Sequence, residues 1–181
     1  LMSPNLKPRA AVLGLGIMGE AIARNLDRAG LLDATWNRSP RPDVPGYTPA
    51  LHDAVKGCNF LLILVTDDQA VADVTNSMEA DLGPQHLVIQ CSTVNPASNI
   101  QFQQQVESRG AHFIEALIGG SKVAAVDRQI ILYIGGAATQ AQRAEPILAA
   151  ISAKRIYIGS TGKASAIKLA MNLNIAMQVE A

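Results

Sequence analysis

Three glycines open the chemistry of this chain. They stand in the run Gly14-Leu15-Gly16-Ile17-Met18-Gly19, behind one apolar stretch and ahead of an amphipathic one. That context predicts a loop leading from a strand into a helix. The first glycine permits a tight turn. The second lets backbone approach a pyrophosphate with no Cβ in the way, and the third lets the helix pack closely. Free N–H groups at the helix start then hold phosphate oxygens. All six residues are candidate contacts to a dinucleotide, the ligand this loop in this context implies.

The end of the second strand selects between dinucleotides. A carboxylate there would bond the adenosine ribose of NAD; this chain has Asn37-Arg38-Ser39 instead. Without an acid, a 2′-phosphate is not repelled. Arg38 can pair with it through a charged fork, and Ser39 can donate a further bond. NADPH is the cofactor expected, and Arg38 as a solvated loop charge is the plain alternative. Val65 and Thr66, where the next apolar run ends, are further candidate contacts. So is Thr93 in Cys91-Ser92-Thr93-Val94-Asn95-Pro96, which follows another strand. Ser92 or Thr93 could reach the nicotinamide, and equally Thr93 or Asn95 could cap the next helix.

Lys168 and Asn172 lie one helical turn apart and share a face. Such a lysine either snorkels from an apolar stripe or serves chemistry. Placed beside a reacting carbonyl, its ammonium can give a proton to the forming alkoxide.

These residues need a scaffold with strand ends gathered on one side. Apolar runs predict strands at 10–13, 34–36, 60–65, 87–90, 112–118, 130–134 and 155–158. Helical patterns fill 18–29, 50–55, 69–78, 97–109 and 140–151, and a last one covers 163–181. Continuous apolar strands alternating with helices indicate an α/β, Rossmann-type, doubly wound and mostly parallel sheet. The expected division is a tail at 1–9, a dinucleotide-binding domain at 10–161, and the start of an interdomain helix at 162–181. Stripes such as Ile167, Met171 and Ile175, or Ala170, Asn174 and Gln178, run along that helix. It has no stop signal, so an absent helical domain is expected to follow.

Composition excludes several classes. Of 181 residues 49% are apolar, which suits a buried core, and 15 basic residues balance 15 acidic ones. No net field attracts nucleic acid or an anionic membrane. No apolar run approaches the ~20 residues of a membrane span, and the first nine residues lack a signal peptide's apolar core. Cys58 and Cys91 form no CxxC, and His52, His86 and His112 show no metal-ligand spacing. A reduced, cytoplasmic protein with no metal is the natural expectation.

The motifs together resemble one family. The glycine loop running on to Glu20-Ala21-Ile22-Ala23-Arg24-Asn25-Leu26 looks like the start of the β-hydroxyacid dehydrogenases. Cys91-Ser92-Thr93 with Pro96 and Ser98 is similar to that family's Ser-Thr loop. Glu115-Ala116-Leu117-Ile118-Gly119-Gly120-Ser121-Lys122 resembles its substrate loop, nearest the glyoxylate and succinic semialdehyde reductase branch. Residues 162–172 resemble its catalytic helix. Leu117 stands where the branch has Pro, Gly119 where it has Ser, and Arg128 where Gly is common.

The resemblance implies NADPH-dependent reduction of a short aldehyde bearing a carboxylate, or the reverse oxidation of a 3-hydroxy acid. It makes Lys168 the proton donor or acceptor and Asn172 the residue that orients Lys168 or the substrate oxygen. Gly119, Gly120 and Ser121 would bind the substrate carboxylate, and Thr93 would touch the nicotinamide. It also implies a helical second domain that builds a homo-oligomer. Two other readings stay open: a non-catalytic NADP-binding or interaction module, and an imine reductase, which usually lacks a lysine at this place.

Overall fold

A computed structural model describes residues 7–179. Positions 1–6 of the expected tail, and 180–181 of the expected last helix, lie outside the described residues. So do the side chains of Ile175 and Gln178.

The chain runs β1 (Ala10–Leu13), α1 (Ile17–Arg28), β2 (Leu32–Trp36), α2 (Leu51–Gly57), β3 (Phe60–Ile63) and α3 (Asp68–Met78). After a 3₁₀ turn at Glu79–Asp81 come β4 (Leu87–Gln90), α4 (Pro96–Ser108), β5 (His112–Gly119) and α5 (Lys122–Val126). The chain continues through β6 (Ile131–Gly136), α6 (Ala138–Ile151), β7 (Lys154–Gly159) and α7 (Lys163–Val179). The strands form one sheet in the order β2-β1-β3-β4-β5-β6-β7.

Both faces of the sheet are covered, which explains the continuous apolar runs. Ala10, Val12, Leu62, Ile89 and Ile114 point toward α1, α5 and α6. Their neighbours Ala11, Leu13, Leu61, Val88 and Phe113 point toward α2, α3 and α4. Successive side chains alternate between faces, so a strand buried on both must be apolar at every position.

One pairing breaks the parallel pattern: β5 and β6 are antiparallel. The cause is the short connection, which carries only the five-residue α5. A crossover to a parallel strand needs roughly a dozen residues or more. Hydrophobic periodicity carries no sign of α5. Its C-terminal neighbour Arg128 adopts φ 58°, the left-handed region that glycine prefers.

The strand order turns at β1: one crossover goes to β2 and the next to β3 on the opposite side. Loops diverge at such a switch point, and a crevice opens at the carboxyl ends of the strands.

Candidate functional site

That crevice is a cleft of about 930 Å³, and its walls come from loops far apart in sequence. The volume is at the upper end of the roughly 300–1,000 Å³ typical of small-molecule sites.

The floor is the glycine loop between β1 and α1, and all six residues Gly14 to Gly19 line the cleft. Gly14 has φ 107°, and a Cβ there would overlap the carbonyl of Leu64. A Cβ on Gly19 would overlap the carbonyl of Gly14, so α1 starts flush against the loop. Gly16 differs. Among the described residues, no atom beyond its chain neighbours lies within 4 Å of where its Cβ would be. Packing there does not demand glycine; open space beside the backbone suits a ligand's approach. Gly16 is also the N-cap of α1, and no side chain caps that helix. Its first-turn N–H groups are therefore available to an anion.

Glu20 in the first turn would oppose an anion. Arg41 and Arg24 neutralise it, donating to its two carboxylate oxygens at 2.7 and 3.0 Å. These bonds hold its carboxyl below the usual range. Arg41 also donates to the Leu15 carbonyl at 2.8 Å and pairs with Asp43. It is occupied as a brace for the loop.

Asn37, Arg38 and Ser39 form one end of the cleft. Asn37 is partly structural: its Oδ1 accepts from the Leu15 N–H at 2.9 Å, and its amide donates to the Ser39 carbonyl. Arg38 and Ser39 are exposed. The charge of Arg38 reaches across to Asp67, whose carboxyl sits below its usual range. The main cause there is the Ala70 N–H that Asp67 accepts, then the Thr66 hydroxyl, with Arg38 contributing through space.

Val65 and Thr66 follow β3, and Ser92 and Thr93 follow β4; all four line the cleft. The structure separates the serine from the threonine. Ser92 is buried, and its Oγ accepts from the Val65 N–H at 2.9 Å. Thr93 is exposed. Capping of α4 falls to Asn95, whose side chain accepts from the Ala97 N–H at 2.9 Å. Cys91 also lines the cleft, but burial pushes its thiol up to about 12, which keeps it protonated and inert.

The opposite end holds Ile118 and Gly120 from the end of β5, and Lys168 and Asn172 from α7. Lys168 is half-buried, and no salt bridge engages it among the described residues. Gly119 and Ser121 do not line the cleft. The Ser121 hydroxyl accepts from the Ala124 N–H at 3.3 Å and caps α5. Of the three expected carboxylate contacts, only Gly120 faces the cavity, because the tight β5–α5 turn directs its neighbours elsewhere.

The motif reading missed the wall formed by Trp36, Leu64, Ala70 and Val74. These apolar residues look like core in sequence, and only their proximity to the loop marks them. Among the described residues no group of three or more His, Cys, Asp and Glu could hold a metal ion.

Comparison with known proteins bears on this cleft. Residues 9–159 match the family described as the NAD binding domain of 6-phosphogluconate dehydrogenase. The chain belongs to that family. Its cofactor class is accordingly a nicotinamide dinucleotide. Glyoxylate/succinic semialdehyde reductase 2 of Arabidopsis thaliana is 30% identical over 170 residues, covering 89% of this chain and 48% of that protein. The cytokine-like nuclear factor N-PAC of Danio rerio is 27% identical, covering 91% of this chain and 38% of that one. In fold, 3-hydroxyisobutyrate dehydrogenase of Mycobacterium tuberculosis superposes with a TM-score of 0.90 at 23% identity, over 96% of this chain and 62% of that one. The chain spans about half the length of the curated relatives it matches. Among the described residues no helix is long and apolar enough to cross a membrane.

Proposed function

We propose that this chain is the cofactor domain of an NADPH-dependent reductase. Its substrate is a short aldehyde carrying a carboxylate, of the glyoxylate or succinic semialdehyde type. In reverse it oxidises the corresponding hydroxy acid. One observation carries the reading: Lys168, half-buried and in no salt bridge among the described residues, shares one cleft with the glycine loop and Thr93.

Each residue then has a task. The first turn of α1 binds the pyrophosphate. Arg38 and Ser39 take the 2′-phosphate, since Arg41 is already bound to Glu20, Asp43 and the Leu15 carbonyl. Val65, Thr66 and Thr93 flank the nicotinamide half. When bound, the reduced nicotinamide supplies the two electrons and the hydrogen that a carbonyl carbon takes up. Lys168 gives the proton that completes the hydroxyl, and its positive charge lowers the cost of charge building on oxygen. Asn172, on the same face, orients that oxygen or the ammonium. The backbone at Gly120, with Ser121 behind it, receives the substrate carboxylate. Water exclusion and homo-oligomer contacts are assigned to a further helical region of the full-length protein. The buried free thiols of Cys58 and Cys91 support a reducing compartment such as the cytoplasm.

A second reading is a dinucleotide-binding module without turnover. It draws support from the relatives whose name is that of a nuclear factor. Titration of NADPH and NADH, followed by assay with glyoxylate and succinic semialdehyde, tests both. NADPH binding with turnover supports the reductase. Binding without turnover in the full-length protein supports the module.

A further inference from the structure

The buried polar groups of this chain form a connected series. Glu115 on β5 is fully buried. One carboxylate oxygen accepts the Gly162 N–H at 2.8 Å and the Ala164 N–H at 2.9 Å. The other accepts the Asn99 amide at 2.7 Å and the Ser165 hydroxyl. Asn99, buried on α4, accepts in turn from the Gln90 amide at 2.8 Å. Gln90, buried at the end of β4, holds both the N–H and the carbonyl of Ser92. Ser92 accepts the Val65 N–H. An unbroken run of bonds thus joins the first turn of α7 to two loops of the cleft.

Burying a carboxylate is costly, and an apolar side chain would fill β5 at less expense. What the carboxylate adds is direction. Its four acceptor positions are all engaged, so it fixes both the axial position and the rotation of α7. It acts as an N-cap supplied by another element, with the positive end of the helix dipole toward it. Gly135 leaves the room, since a Cβ there would overlap the Glu115 side chain. Ala164, Lys168 and Asn172 are spaced by four residues and lie on one face of α7. The anchored residue and the two cleft residues are therefore aligned.

We propose that Glu115 is a positioning residue. Through Asn99, Gln90 and Ser92 it holds the Lys168–Asn172 face of α7 in fixed register with Val65 and Thr93 across the cleft. The inference rests on the reading of Lys168 as proton donor, but its test has an arm independent of that reading.

Glu115→Gln keeps the shape and turns one acceptor into a donor. Amide hydrogen exchange should rise about tenfold or more in both 163–168 and 91–93, with the remaining strands unchanged. In the full-length protein turnover should fall on the order of 100-fold, as for a misplaced catalytic group, while NADPH affinity stays within about twofold. Glu115→Asp should recover part of the turnover. Faster exchange in 163–168 alone, with 91–93 unmoved, would overturn the proposal. So would turnover that stays at the parent level in Glu115→Gln. If Lys168→Ala retains turnover, the donor reading fails and exchange alone decides. If Glu115→Gln does not fold, Asn99→Ala cuts the series between Glu115 and Gln90. Exchange at 91–93 should then rise, and no change there would sink the idea.

Discussion

At the scale of single residues, charge and hydrogen bonding decide what each group can do. Arg38 is the exposed arginine at the cleft end, whereas Arg41 braces the loop. Arg38→Ala should weaken NADPH by roughly 10–100-fold, the equivalent of about 1.5–3 kcal/mol for a charged hydrogen bond, and leave NADH nearly unaffected. Calorimetry with both cofactors checks this; equal losses would remove the phosphate role. Lys168→Ala in the full-length protein should abolish turnover while cofactor affinity stays within about twofold. His86 gives a pH effect. It is fully shielded, its Nδ1 accepts the Gly83 N–H at 3.0 Å, and burial lowers its pKa from 6.5. The unfolded chain therefore binds a proton that the folded one refuses. The stability from His86 is complete above the unfolded value and is lost as pH falls from there toward the lower folded value. Thermal melts from about pH 8 to 5 should show this loss before the carboxylates titrate, and His86→Asn should flatten it. An unchanged slope in that variant would assign the effect to another group.

Elements impose a different kind of constraint. The three glycines of the loop look equivalent in sequence, yet the space around them differs. Gly16→Ala meets no protein atom and keeps an allowed backbone with φ −69°. It should leave stability unchanged or raise it by up to about 1 kcal/mol. Cofactor affinity should fall sharply in the same variant, because the new methyl enters the space beside the helix start. Gly19→Ala should instead cost stability by about 1–3 kcal/mol, since its Cβ meets the Gly14 carbonyl. Melting and titration of the two variants side by side separate a ligand-facing glycine from a packing one. Arg128 offers the converse. It holds φ 58° just beyond α5, where glycine is the favoured residue. Arg128→Gly should stabilise the chain by about 1 kcal/mol, read from denaturant midpoints.

For the whole molecule, α1–α6 and the first turn of α7 cover the sheet on both faces, but much of the rest of α7 is open. Leu173 and Met177 are 64% and 66% exposed and lie four apart on one side of the helix. A row of exposed apolar side chains favours association. Sedimentation of this chain should show concentration-dependent self-association, and Leu173→Lys with Met177→Lys should abolish it. A monomer at all concentrations would mean that this face has no affinity for its own kind.

Local pattern accounts for much of this protein. Continuous apolar runs at 10–13, 60–65 and 87–90 marked strands buried on both faces, the second of which ends at Ile63, and the glycine spacing marked the helix start that follows β1. Both signals survive in sequence because backbone geometry and two-sided burial act residue by residue. The cleft needed tertiary structure. Gly119 and Ser121 carry the same motif as Gly120 but turn away, and the hydroxyl of Ser121 is taken by α5. Ser92 and Thr93 are adjacent and chemically alike, yet one braces Val65 and the other faces the cavity. Glu115 read as one letter of a loop motif. Its partners Asn99, Gln90, Gly162 and Ser165 lie on different elements. Hydrogen bonds between distant segments leave no period and no spacing, so only the assembled sheet brings that network together.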